Sequence, residues 1–310
     1  MNDISLKLTS VSGEIYEAKK CLSFRFEKEV YTPYSVLSGI FFADCDVMNI
    51  SDVEFYIDGK LIHKGFIDII ENSEASDGKR ISVASRGYSS LLLQGELPDG
   101  IISLPSLNYL FTRVNLPNVT HEDSSQTVNY IYLSPHSSIW DACKMLCLKM
   151  HNSHPFVLSP NKVSYTFSDS ALSFEPKNII SKGNLLNLKN AVSDIYMRAL
   201  TDDGVETDFS LYVNDSEIRQ LGIKREKYYA YDKMWAFDSY LGIRTKINLS
   251  MKGSRADFIK YDGFSGEDLN DIVIFDKKQG RINRILINGT KNGIQTTLWR
   301  YYDRYNNRNN

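Results

Sequence analysis

Cysteine, proline and histidine are scarce in this chain of 310 residues, at four, eight and five respectively. The cysteines (Cys21, Cys45, Cys143, Cys147) are too few and too scattered to staple a chain of this length, so folding in a reducing cytoplasm is expected. No run approaches the roughly 20 apolar residues that span a bilayer, and no membrane insertion is expected. Met1–Ser10 alternates polar and apolar residues instead of building the apolar stretch of a secretory signal. A net charge of −2 gives no general attraction to nucleic acid. Signatures of nucleotide-binding and zinc-protease chemistry are missing as well: there is no P-loop, no G-x-G-x-x-G after a strand and no H-E-x-x-H.

What the chain has instead is aromatic residues and strand patterns. Nineteen tyrosines and fifteen phenylalanines suit β structure and contact surfaces. The most informative stretch is Val53–Leu97, which reads as three strands and a short helix. Val53, Phe55 and Ile57 alternate with polar neighbours, and Asp58-Gly59 suits a type I′ hairpin, whose two central residues take positive φ. Upstream, Ser5–Leu8, Glu14–Ala18, Leu22–Glu27 and Ser38–Cys45 are strand candidates, with a loop at Pro33. Ser85–Leu93 is expected to form the helix and to plug the open end of a barrel.

Turn clusters at Pro98–Gly100 and Lys182-Gly183 divide the chain. The expectation is a first β-barrel domain over 1–98, a small mixed α/β domain over 99–183, a second β-barrel domain with a helix over 184–303, and a disordered tail over 304–310. The class is α+β, predominantly β. In the middle segment, Leu104–Asn115 is a helix candidate, Val128–Leu133 a strand, and Ser137-Ser138 caps a helix over Ile139–Met150. Phe156–Leu158 and Val163–Phe167 form a hairpin around Ser159–Asn161. The third segment offers strands at Leu185–Leu188, Val192–Thr201, Glu206–Tyr212, Ile243–Met251, Phe258–Tyr261 and Ile272–Phe275. It also offers a turn at Asp202–Gly204, a long helical window over Lys224–Leu241, and a closing hairpin of Arg281–Asn288 with Ile294–Tyr302.

Few residues carry candidate chemistry. Cys143, Cys147, His151 and His154 are metal-ligand types, but eight residues advance a helix by about 12 Å, so one helix cannot bring all four to one ion. The cluster works only if the helix ends near Met150 and the histidines fold back; otherwise the cysteines are small core residues. Ser85-Arg-Gly-Tyr-Ser-Ser fails as a nucleophile elbow because Leu91 stands where the second glycine belongs. Arg86 is expected to pair with a carboxylate or a neighbouring subunit's carbonyl, and Gly87 to relieve crowding. Asp44, Asp46 and Asn49 lack the glycine and terminal glutamate of a calcium loop. The aromatic and basic run Lys224–Trp235 suits a core or subunit interface better than nucleic acid, because Glu226 and Asp232 dilute its charge. No catalytic, cofactor-binding or metal residue is assigned, and the chain is not expected to be an enzyme.

IDGKLIHKGFID (57–68) followed by ISVASRGYSSLLLQ (81–94) resembles the amino-terminal barrel of contractile-tail baseplate hub proteins, the late control gene D family of phages and phage-derived bacteriocins. The resemblance implies a structural protein built from two tube-like barrels, unlike longer hubs that end in a cell-wall hydrolase domain. It also implies a homotrimer that joins a sixfold tail tube protein to a threefold central spike protein, beside other baseplate proteins. Such a particle is a virion or phage-tail-like body assembled in the bacterial cytoplasm. A carbohydrate-binding adhesive β protein of the tail tip is the alternative, and an unrecognised hydrolase comes third.

Overall fold

The computed structural model describes residues 3–18, 20–166, 173–200, 208–232, 241–243, 254–275 and 278–302. The first segment is all β: β1 (Ile4–Ser10), β2 (Ile15–Ala18), β3 (Cys21–Glu29), β4 (Val36–Phe42), β5 (Ile50–Ile57), β6 (Lys60–Ala75) and β7 (Gly78–Gly87), with crossovers that set β1 beside β5 and β4 beside β7. Asp58 and Gly59 take φ of 51° and 74° at the β5–β6 hairpin, the positive-φ pair that an Asp-Gly turn provides. Alternation decides the faces. Phe24 and Phe26 of β3, Leu37 of β4 and Ile81 and Val83 of β7 point into one core. The expected helix at Ser85–Leu93 starts later, because β7 continues through Gly87 before a 3-10 turn at Tyr88–Ser90 and α1 (Leu91–Gln94). Leu92 of α1 is buried in the core of the middle segment rather than in that of the first segment.

The middle segment holds β8 (Gly100–Ser103), α2 (Leu107–Val114), β9 (Thr120–His121), β10 (Tyr130–Leu133), α3 (Ile139–His151), β11 (Phe156–Leu158) and β12 (Lys162–Ser164). Helix α3 begins at a capping box. Ser138 Oγ accepts from the Asp141 amide and the Asp141 carboxylate accepts from the Ser138 amide. It ends at Asn152 in the left-handed region. Trp140, Ala142, Cys143, Leu146 and Cys147 are buried, so α3 is the centre of this core, with α1 and α2 packed on it.

The third segment adds β13 (Ser173–Phe174), β14 (Ile179–Leu186), β15 (Asp194–Leu200), β16 (Ser210–Asn214), α4 (Ser216–Gln220) and β17 (Glu226–Asp232). It closes with β18 (Arg255–Asp262), β19 (Ile272–Phe275), β20 (Lys278–Arg281), β21 (Arg284–Thr290) and β22 (Gly293–Tyr301). Lys182 and Gly183 lie inside β14. The helix expected from Lys224 is a strand at Glu226–Asp232, paired in parallel with β15. The reason is a period of two: Tyr229 and Tyr231 pack on Val192, Ile195 and Met197, while Tyr228 faces out. Residues 233–240, most of the strand expected at Ile243–Met251, and the Asp202–Gly204 turn lie outside the described residues.

One eleven-stranded sheet joins the ends of the chain, in the order β14-β18-β22-β21-β3-β4-β7-β6-β5-β1-β2. The closing hairpin β21–β22 therefore inserts beside β3, more than 250 residues away in sequence, with Ile287 opposite Phe26 and Ile285 opposite Lys28. Ile259, Ile285, Ile287 and Leu298 share the core of the first segment. No helix among the described residues is long and apolar enough to cross a membrane.

At the β21–β3 seam, Gly289 lies opposite Phe24, and a Cβ on Gly289 would overlap the Phe24 ring. That ring is held against Phe55 at 4.8 Å and has little room to swing away. Gly289→Val is expected to cost about 1–3 kcal/mol in denaturant unfolding, against about 0.5 kcal/mol or less for Thr290→Val one residue along. Equal losses at the two positions would refute the close approach.

Candidate functional site: a buried junction and two open sheet edges

The segments that carry the hub-like signature meet in a buried polar knot. His63 of β6 is fully buried, with Nδ1 2.7 Å from Ser35 Oγ and Nε2 2.8 Å from Ser85 Oγ. Ser85 donates its only hydroxyl proton to the Phe66 carbonyl at 2.8 Å. His63 Nε2 must then be the protonated nitrogen that donates to Ser85, leaving Nδ1 to accept from Ser35. An activated serine needs the reverse arrangement, an imidazole that takes the hydroxyl proton. The Ser85–His63 pair thus acts as structure. Burial, with a smaller push from the Lys28 charge, takes His63 down to about 3, so the ring is neutral.

Two glycines let a neighbouring turn reach this knot. Gly65 and Gly87 are cross-strand partners, and a Cβ on Gly65 would overlap the Arg86 carbonyl. A Cβ on Gly87 would lie 2.9 Å from Asn161 Oδ1 and 3.1 Å from Ser35 Oγ. Asn161 belongs to the β11–β12 turn of the middle segment. It donates to the Lys64 carbonyl at 2.8 Å and accepts from the Ser89 amide and hydroxyl at 3.2 and 3.1 Å. The same turn is gripped from the other side. Lys28 Nζ of β3 donates to Ser159 Oγ at 2.9 Å and to Asp268 Oδ1 at 2.7 Å, while the Ser159 amide donates to Asp268 Oδ2 at 2.6 Å. One turn, residues 159–161, therefore binds all three segments. Arg86 pairs with a carboxylate of its own chain, Asp68, through two 2.7 Å hydrogen bonds.

The metal-type residues are dispersed. Cys143 and Cys147 are buried in α3, where burial pushes Cys143 up to about 12 and Cys147 well above the usual thiol range. His151 stacks on Tyr165 at 4.7 Å, while His154 sits edge-on to Tyr31 at 5.4 Å. Among the described residues no group of three or more His, Cys, Asp or Glu is arranged to hold an ion. Asp46 instead pairs with Lys79 at 3.0 Å.

Two patches of exposed apolar surface lie on the third segment. On the outer face of the β16–β15–β17 sheet, Tyr196 and Tyr228 stack at 4.9 Å, Phe209 abuts Tyr228, and Arg198 covers Phe209. The other is β14, an end strand of the large sheet, where Ile179, Ile180, Leu185 and Leu186 are exposed. Beside it, α4, β14, β18 and Tyr302 enclose a groove of about 520 Å³. In its floor Asp257 is held by Arg300, Asn184 and Tyr302. Only Leu185 and Leu186 of β14 read as strand in the sequence; its position at the sheet edge depends on the long-range pairing of β18 with β22.

No protein-family model matches the sequence, and a comparison with curated proteins finds no match. Solved structures do match over the whole chain. The tail protein from Neisseria meningitidis MC58 superposes with a TM-score of 0.69 at 13% identity, covering 97% of each chain. The 43 kDa tail protein of prophage MuSo2 from Shewanella oneidensis gives 0.69 at 15% identity, over 98% of this chain and 99% of the other. This chain has the tail-protein fold. The E. coli c3393 protein, described as a type VI secretion component with structural similarity to the T4 tail proteins gp27 and gp5, gives 0.55 at 8% identity, over 98% and 79% of the two chains.

The buried histidine sets a pH dependence. Unfolded, His63 titrates near its ordinary 6.5, whereas folded it titrates near 3. The unfolded chain thus binds more protons between those values, and stability is full above pH 6.5 and falls as pH drops. Glu54 has its own window. Burial pushes it up, but hydrogen bonds from Lys64, Tyr56 and Lys7 bring it to about 2, so its contribution is full above its ordinary 4.5 and is lost only as pH falls from there towards 2. Between pH 6.5 and 4.5 the His63 contribution to the unfolding free energy should fall with a slope approaching about 1.4 kcal/mol per pH unit, opposed by Glu267, whose carboxyl burial holds above its ordinary range. His63→Gln should flatten it. A wild-type profile that runs parallel to that of His63→Gln across the interval would overturn the assignment.

Proposed function

We propose that this protein is the structural baseplate hub of a contractile phage tail or phage-like bacteriocin, a homotrimer that joins the sixfold tail tube to the threefold central spike. The observation that carries this reading is the match to two tail proteins over essentially the full length of each chain. The composition agrees with such a role: a rigid β scaffold, one buried junction binding three chain segments, and apolar surface on a sheet edge. In this reading 1–98 and 184–303 supply the two tube-like barrels, and the middle segment braces them. The seam between β21 and β3 is then the contact of one barrel with the other inside a single subunit. Permanent ring assemblies use heterologous contacts and commonly bury over about 2,000 Å² per interface.

A second reading, carbohydrate binding at the tail tip, is favoured by the exposed rings of Tyr228 and Phe209. One face of Tyr228 is already covered by Tyr196, which leaves less platform for a sugar ring.

Light scattering across a concentration series separates these. A mass near 106 kDa, three times the 35.4 kDa chain, is expected for the hub. A monomer at all concentrations, with or without the spike, would sink the hub reading. Glycan binding abolished by Tyr228→Ala would put the adhesin in its place.

A further inference from the structure

Lys28 and Asp268 are arranged for more than an ion pair. Lys28 lies in β3 and Asp268 in the loop between β18 and β19, 240 positions away in sequence. Lys28 Nζ is 2.7 Å from Asp268 Oδ1, and the two side chains are 2% and 18% exposed. Other lysine–carboxylate pairs stand nearer water: Lys64 beside Glu54 is 28% exposed, and Asp141 beside Lys144 is 43% exposed. The buried pair Arg300–Asp257 offers no nucleophile, because a guanidinium keeps its proton.

The surroundings supply what amide formation needs. An attacking amine must first lose a proton. Burial pulls Lys28 below the ordinary lysine range, against the opposing charges of Asp268 and Asp271 and with help from Lys60. The carboxyl under attack must hold negative charge on oxygen through a tetrahedral intermediate. Two backbone amides already point at its oxygens: Leu269 N–H donates to Oδ1 at 2.8 Å, and Ser159 N–H donates to Oδ2 at 2.6 Å. Ser159 Oγ accepts from Lys28 Nζ at 2.9 Å, which puts a hydroxyl beside the amine to relay a proton. The frame is fixed on both sides. The Asp268 amide donates to the Asp271 carboxylate at 2.7 Å, and Asn161 anchors the turn that carries Ser159. Holding two groups in this way replaces a bimolecular encounter with a local one.

We propose that Lys28 and Asp268 condense into an intramolecular isopeptide bond, a covalent tie between β3 and the loop that follows β18. The step needs no outside reagent. Within the ion pair one proton passes from the ammonium to the carboxylate. The neutral amine nitrogen attacks Asp268 Cγ, so a C–N bond forms and a C–O bond breaks. The departing hydroxyl takes a second proton from the nitrogen through Ser159 Oγ and leaves as water. The tie lies on the β21–β3 seam, since Lys28 is the cross-strand partner of Ile285, and it fastens the third segment to the first. It forms within one subunit and holds whether or not the chain trimerises.

The test is the intact mass of the full-length wild-type chain, followed over days at neutral pH. The chain should become lighter than its sequence by one water, and digestion should release a branched peptide joining the segments around Lys28 and Asp268. Lys28→Met leaves the amide bonds of Asp268 in place and should keep the full sequence mass, with circular dichroism as the check on folding. Ser159→Ala should slow the loss of water by about tenfold or more. A wild-type chain that retains its full mass overturns the proposal without recourse to any variant. Loss of water that persists in Lys28→Met also overturns it. So does a water lost as a succinimide at an Asp-Gly step such as Asp58-Gly59, which mild alkali reverses while an isopeptide bond survives.

Discussion

Everything in the large sheet depends on the pairing of β21 with β3. Seven residue pairs form it, from Arg284 with Glu29 to Thr290 with Ser23. Without it, β22, β18 and β14 would have no connection to the first core, because each reaches that core through its neighbour. The contact is expensive to find during folding, since loop-closure entropy must be overcome before any of its bonds form. Packing offsets that cost. Ile285 and Ile287 are buried, the Phe24 ring covers the space left by Gly289, and Arg284 pairs with Glu27 while lying over Trp299.

The buried polar junction serves a related end. Lys28, His63 and Asn161 are all buried, yet each has its hydrogen bonds made: Lys28 to Ser159 and Asp268, His63 to two serines, Asn161 to Lys64 and Ser89. An apolar core would hold the three segments together with comparable strength. It would not specify one orientation of the 159–161 turn, because dispersion contacts tolerate small shifts that a hydrogen-bonded amide does not. The neutral state of His63 belongs to the same logic: a second cation near Lys28 would have no carboxylate of its own.

Much of the local structure was legible in sequence, for reasons that are local. The Asp58-Gly59 hairpin, the Ser138 cap and the strands around Phe24 and Ile287 follow from turn chemistry and alternation over a few residues. Gly65, Ser85 and Gly87 were visible as part of a resemblance, but their reason was not. The atoms that require them belong to Ser35, Arg86 and Asn161, and the Gly87–Asn161 contact spans 74 positions of sequence. The helix expected at Lys224–Leu241 failed because charge interleaved with tyrosine fits a helix face as well as a strand. Tertiary contact with Ile195 and Met197 decided for the strand. The edge position of β14 was also beyond reach, since a strand's place in a sheet is set by partners elsewhere in the chain.

A sheet edge that exposes isoleucine and leucine is a hazard for a protein meant to stay monomeric, and the usual protections are a lysine-rich, short, bulged or covered edge. Strand β14 has one lysine in eight residues and four exposed apolar side chains, so it is weakly protected. Strand β6 past Gly65, where its pairing with β5 stops, is protected differently, by three carboxylates in ten residues and a bulge at its start.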